Sequence, residues 1–142
     1  MNGTNLAREI TSLRAFYANP DLAPNGERCD CAAPMAERIT GMVCYHGEIW
    51  IRGSDPNLRG QALSGPLSRL LLGLVLARWN PDYVFGLAYD WTVKRGVSTS
   101  YGYWHAQPGA THWVQPHRDK PLDLWLLWLT RQDLIDLMRM PA

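Results

Sequence analysis

The 142-residue chain carries 14 Lys+Arg against 13 Asp+Glu, a net charge of +1, with 46% hydrophobic and 19% charged residues. That length fits one domain able to bury a core without staples, and the balance excludes a disordered or fibrous chain. With the basic residues scattered and no basic stripe, nucleic acid is an unexpected partner.

Leu6, Ile10, Leu13 and Tyr17 recur at helical spacing, predicting an amphipathic helix over Asn5–Ala18 that stops at Asn19-Pro20. The Pro- and Gly-containing stretch to Pro34 reads mostly as loop. Ile39–Tyr45 and Glu48–Arg52 read as two strands joined at His46-Gly47, a hairpin. A long helix is predicted over Ser64–Trp79, with Pro66 in its first turn, where its missing N–H costs nothing, and Asn80-Pro81 at its end. Its leucines (67, 70, 71, 72, 74 and 76) run most of the way around, which predicts burial on more than one side and a central place.

Tyr83–Ala88 reads as a buried strand, so strand, helix and strand form a βαβ unit with parallel pairing. Asp90 is placed to cap a second helix reaching about Ser100. Tyr103–His105 and Thr111–Val114 read as strands separated by Pro108-Gly109, and Leu122–Leu129 is the clearest remaining strand. Thr130 with Asp133 three residues later resembles a capping box opening a last helix to about Met140. The longest apolar run, Leu70–Ala77, is far short of the roughly 20 residues that cross a bilayer, so no membrane is expected. The polar Met1–Asn5 does not read as a signal peptide, and three cysteines, an odd number, predict free thiols in a reducing, cytoplasmic setting.

The chemistry concentrates in the segment between the hairpin and the long helix. There Asp55-Pro56-Asn57-Leu58-Arg59-Gly60-Gln61-Ala62-Leu63-Ser64-Gly65 combines small residues, a fixed positive charge and a helix start. The first turn of a helix presents unpaired N–H groups and the positive end of the dipole, and small residues let phosphates approach. A tight strand-to-helix turn explains the same small residues equally well. Gly-Lys-Ser/Thr and the three-glycine dinucleotide spacing are both missing.

This run resembles the acyl-CoA-binding motif of the GNAT (general control nonrepressible-related) N-acyltransferase superfamily, in which a Pro-x-x-Arg-Gly turn leads through a small-residue loop into the main helix. Pro56 to Ser64 matches in order, with Ala62 and Ser64 at two positions usually held by glycine, and Gly102-Tyr103 resembles the end of the family's last helix. The resemblance covers roughly residues 39–130. It implies a single GNAT-like α/β domain: a mixed, mostly antiparallel sheet with a central parallel βαβ unit, flanked by helices, with a shortened N-terminal part.

The resemblance further implies an acyltransferase that moves an acetyl or longer acyl group from acyl-CoA to an amine-bearing acceptor, small molecule or protein, with no metal. Arg59, Gly60, Gln61, Ala62, Leu63, Ser64 and Gly65 would hold the pyrophosphate; Arg52, Gly53 and Ser54 would hold the pantetheine arm. Glu48 is the candidate base. Tyr101 is the candidate acid, because the family's usual tyrosine position is Ser98 here, and Ser98 is placed to hydrogen-bond the thiolate. A CoA-binding domain without catalysis and a partner-binding module without ligand are the alternative readings.

Two other constellations stand out. Cys29, Cys31, Cys44 and His46 are zinc-type ligands at an uncommon spacing, read as ordinary residues rather than a site. His105, His112 and His117 lie in an aromatic-rich stretch and read as surface or strand histidines. Leu122–Leu129 has little polar alternation, so it is buried on both faces or forms a partner surface, as in a homodimer.

Overall fold

A computed structural model describes residues 1–47 and 63–141. Glu48 and the segment Arg52 to Ala62, with the second strand of the expected hairpin, lie outside the described residues. The first helix, α1 (Leu6–Thr11), is capped by Asn5, whose side chain accepts from Arg8 N–H. It is shorter than the periodicity predicts: Leu13 takes a left-handed conformation (φ 62°) and turns the chain, so Tyr17 packs from a turn. The region read as loop contains a 3-10 turn (Pro20–Leu22) and a short strand, β1 (Arg28–Asp30), and a second 3-10 turn (Pro34–Glu37) begins where it ends.

The remaining elements are β2 (Val43–Tyr45), α2 (Ser64–Trp79), β3 (Tyr83–Tyr89), α3 (Asp90–Lys94), α4 (Val97–Ser100), β4 (His105–Val114), β5 (Leu122–Thr130) and α5 (Arg131–Arg139). Among the described residues they build one five-stranded sheet in the order β1-β4-β5-β3-β2. Only β2 and β3 are parallel, joined through α2, and the other three pairings are antiparallel. The fold is thus α/β with a mixed, mostly antiparallel sheet and a parallel βαβ unit. That unit sits at one edge of the described sheet rather than at its centre.

The sheet is covered on both faces. One face carries α1 and the turn around Ala36 over Phe85 and Leu126; the other carries α2 and α5 over Val84, Leu127 and Leu129. Alternation along β5 therefore buries both of its sides, as its unbroken apolar run predicts. Because β5 is paired with β3 on one side and β4 on the other, it offers no free edge to a second copy.

Helix α2 departs from expectation. Leu72 and Val75 are buried, but Leu67, Leu70, Leu71 and Leu74 are exposed, Leu70 by 62%. The helix packs against the sheet and α5 on one side and carries an apolar stripe on the other, so its leucine content reflects two faces, not two covering layers. Asp90 likewise does not act as a cap: Tyr89 holds that position, and the Asp90 carboxylate accepts from Lys94 (2.8 Å) and Trp125 Nε1 (3.2 Å). Gly96, at φ 74°, splits the single helix predicted after it into α3 and α4. Pro108-Gly109 is not a break between strands but an irregularity within β4, where the Gly109 carbonyl accepts from Ala32 and Ala33 N–H. The Thr130–Asp133 capping box forms as read. No helix among the described residues is long and apolar enough to cross a membrane.

Candidate functional site

The parallel pairing of β2 with β3 runs from Val43↔Tyr83 to Tyr45↔Phe85, and His46 N–H extends it by one bond to the Phe85 carbonyl (2.8 Å). Beyond this point the rest of β3, Gly86 to Tyr89, borders a cavity of about 300 Å³. In α/β sheets ligands bind outside the carboxyl ends of parallel strands, which is where this cavity lies. Its far wall is the α4 turn, which contributes Val97, Ser98, Tyr101 and Tyr103.

Two contacts tie the start of α2 to that wall. Ser68 Oγ donates to the Tyr101 carbonyl (2.8 Å). Gly65 packs so closely that a Cβ there would meet the Ser100 carbonyl oxygen at 2.8 Å. Leu63, in the N-cap position, has no side-chain acceptor, so it caps none of the first N–H groups of α2. Leu63, Ser64 and Gly65 therefore open the helix as predicted, beside the cavity rather than in its lining. Ser98 and Tyr101 both line it; Ser98 is buried, and its carbonyl accepts from Tyr101 and Tyr103 N–H.

The cavity also holds a pair that spacing does not reveal. His46 is 7% exposed, and its Nδ1 lies 2.9 Å from Tyr103 Oη. Its Nε2 is buried with no partner among the described residues. Gly86 makes room for the pair, since a Cβ there would meet the His46 carbonyl at 3.0 Å and Tyr103 Oη at 3.1 Å. Burial pushes the His46 imidazole below its usual pKa and the Tyr103 phenol above its own, so both are neutral near pH 7. From sequence His46 reads as a hairpin-turn residue and a metal-type ligand; its partner lies 57 positions away, a contact no local pattern encodes.

Tyr103→Phe leaves the buried Nδ1 without a partner and is expected to cost about 1–3 kcal/mol in urea unfolding. Because the folded His46 pKa lies below the free value of 6.5, the unfolded chain binds that proton more tightly. Its contribution is complete above pH 6.5 and is lost as pH falls toward the folded value. Melting temperatures between pH 7 and pH 5 should therefore fall more steeply for the wild type than for His46→Gln.

The other candidate groupings separate. Cys29 and Cys31 lie at or just beyond β1, while Cys44 and His46 lie at or just beyond β2, the opposite edge of the sheet. Burial pushes the Cys29 thiol up to about 12 and raises Cys31 and Cys44 as well, which keeps all three protonated and unreactive near neutral pH. His105 Nε2 lies 3.1 Å from the Asp133 carboxylate that completes the α5 capping box. His112 pairs with Asp123 directly across β4 and β5 (2.8 Å), and His117 is exposed in the turn between them. These histidines are structural or superficial and do not converge on the cavity.

No protein-family model matches the chain, and no curated protein or solved structure matches it.

Proposed function

We propose that the protein binds an acyl-CoA and transfers its acyl group to an amine. The observation that carries this reading is the junction of α2 with the α4 turn. The helix that follows Arg59-Gly60-Gln61-Ala62 begins against Ser100, and the cavity beside it is lined by Ser98 and Tyr101. A helix start suits a pyrophosphate, and a partly apolar cavity of about 300 Å³ suits the thioester end of the same molecule.

In the reaction the amine nitrogen attacks the thioester carbonyl carbon, the C–N bond forms and the C–S bond breaks. The nitrogen gives its proton to a base, and the departing thiolate takes one from an acid. Positioning both reactants in one cavity supplies much of the rate. Tyr101 is assigned as the acid and Ser98 as a hydrogen-bond donor to the thiolate. Glu48 is assigned as the base, and the CoA arm and pyrophosphate to Arg52, Gly53, Ser54 and the segment Arg59 to Gly65; Glu48 and Arg52 to Ala62 lie outside the described residues.

Release of free CoA thiol from acetyl-CoA and longer acyl-CoAs, in the presence of a panel of amines, tests the reaction. Tyr101→Phe is expected to lower turnover about 10²-fold or more. Unchanged turnover removes Tyr101 from its role. CoA binding without thiol release for any amine would reduce the protein to a ligand-binding domain.

A further inference from the structure

On the opposite face of β3 lies a second concavity, about 530 Å³ in volume, between the turn that follows α1 (Ala15 and Phe16) and the sheet. Two aromatic pairs form its sides. Phe16 and Trp113 stack at 4.0 Å between ring centroids and 18° between planes, and Tyr45 meets Phe85 at 5.2 Å. Leu122 and Leu124 supply the floor, and among the described residues no Asp, Glu, Lys or Arg lines it. The Trp113 N–H is already donated to Glu27 (2.7 Å).

The two concavities border the same stretch of β3. Leu87 and Tyr89 line both, and the consecutive residues Tyr45 and His46 face one each, as strand alternation requires. Among the described residues, the outer edge of β3 is what separates a molecule on one face from a molecule on the other. We infer that the aromatic concavity binds the acceptor, and that the acceptor is an amine carried on an aromatic body. An aromatic ring gains stacking and apolar burial between the two ring pairs. Among the described residues the lining offers no carboxylate to receive the several charges of a polyamine or a lysine-rich peptide. The volume matches a small-molecule site. The assignment of this molecule as acceptor rests on the acyl-transfer reading; its binding to the concavity does not.

Calorimetric titration of the full chain with 2-phenylethylamine and tryptamine, against putrescine and a lysine peptide, tests the inference. Aromatic amines are expected to bind at least tenfold more tightly. Ala15→Arg, at the exposed rim, and Leu122→Arg, at the floor, should each weaken them by tenfold or more, with melting curves confirming that the variants fold. Equal affinity for putrescine or the peptide, or aromatic binding unchanged in both variants, overturns the inference. A parallel titration with acetyl-CoA separates the two claims. CoA binding without aromatic preference defeats the acceptor assignment alone. Aromatic binding lost in the variants without any CoA binding defeats acyl transfer and leaves the aromatic site standing.

Discussion

Leu72→Ala should lower the stability of the protein by about 2–5 kcal/mol, whereas Leu70→Ala, two residues earlier on the same helix, should change it by no more than about 0.5 kcal/mol. Leu72 is fully buried against Val84, Leu129 and Leu134 in the core beneath α2, and truncating it leaves a cavity that the sheet and α5 cannot collapse to fill. Leu70 is 62% exposed, so its removal gives up little burial and leaves no enclosed cavity. For a domain of this size the first loss corresponds to a fall of roughly 6–20 °C in melting temperature. Thermal melts of the two variants side by side decide it. Equal losses would mean that α2 is covered on both faces, as its leucine content alone suggested.

The second large effect is expected at Gly65. A methyl group there would meet the Ser100 carbonyl oxygen at 2.8 Å, and backbone cannot move aside as a side chain can. Gly65→Ala should therefore push the start of α2 away from the Ser98–Tyr101 turn, at a cost of about 1–3 kcal/mol, and abolish stabilisation by acyl-CoA. Gly73→Ala, further along α2, is the control. Its methyl group would meet only Met138 Sδ at 2.9 Å, the far part of a flexible side chain, and alanine favours the helix interior by about 1 kcal/mol. Urea unfolding of both variants, with and without acetyl-CoA, measures the difference. A Gly65→Ala protein with wild-type stability and ligand response would detach the helix start from the site.

Local chemistry made part of this molecule readable in advance. Pro66 and Asn80-Pro81 fixed the bounds of α2, Thr130 and Asp133 opened α5, and the apolar runs of β3 and β5 were strands because continuous burial leaves no other short solution. What local pattern did not reveal depended on contacts far apart in the chain. β1 is three residues in a proline-containing stretch and exists because β4 pairs with it. The turn at Leu13 cuts α1 short despite a helical spacing that continues to Tyr17. Which leucines of α2 face solvent follows from where α5 lies, and no periodicity encodes that.

The candidate site divides the same way. Ser98 and Tyr101 were singled out through the family resemblance, and both line the cavity. The His46–Tyr103 pair, the most buried polar contact there, joins residues 57 positions apart and carried no local signal. A histidine next to a Gly and after an apolar run was visible; its partner and its neutral state were not.

The measurement that bears most directly on acyl transfer is a thermal melt of the full chain with acetyl-CoA, longer acyl-CoAs, free CoA and ATP. A ligand at 100 times its dissociation constant adds about 2.7 kcal/mol, a rise of roughly 6–13 °C for a domain near this size. The account predicts that rise with CoA species and not with ATP, and its loss in Arg59→Ala. No shift with any CoA would contradict acyl transfer and favour a partner-binding domain, with the exposed leucines of α2 as its contact face.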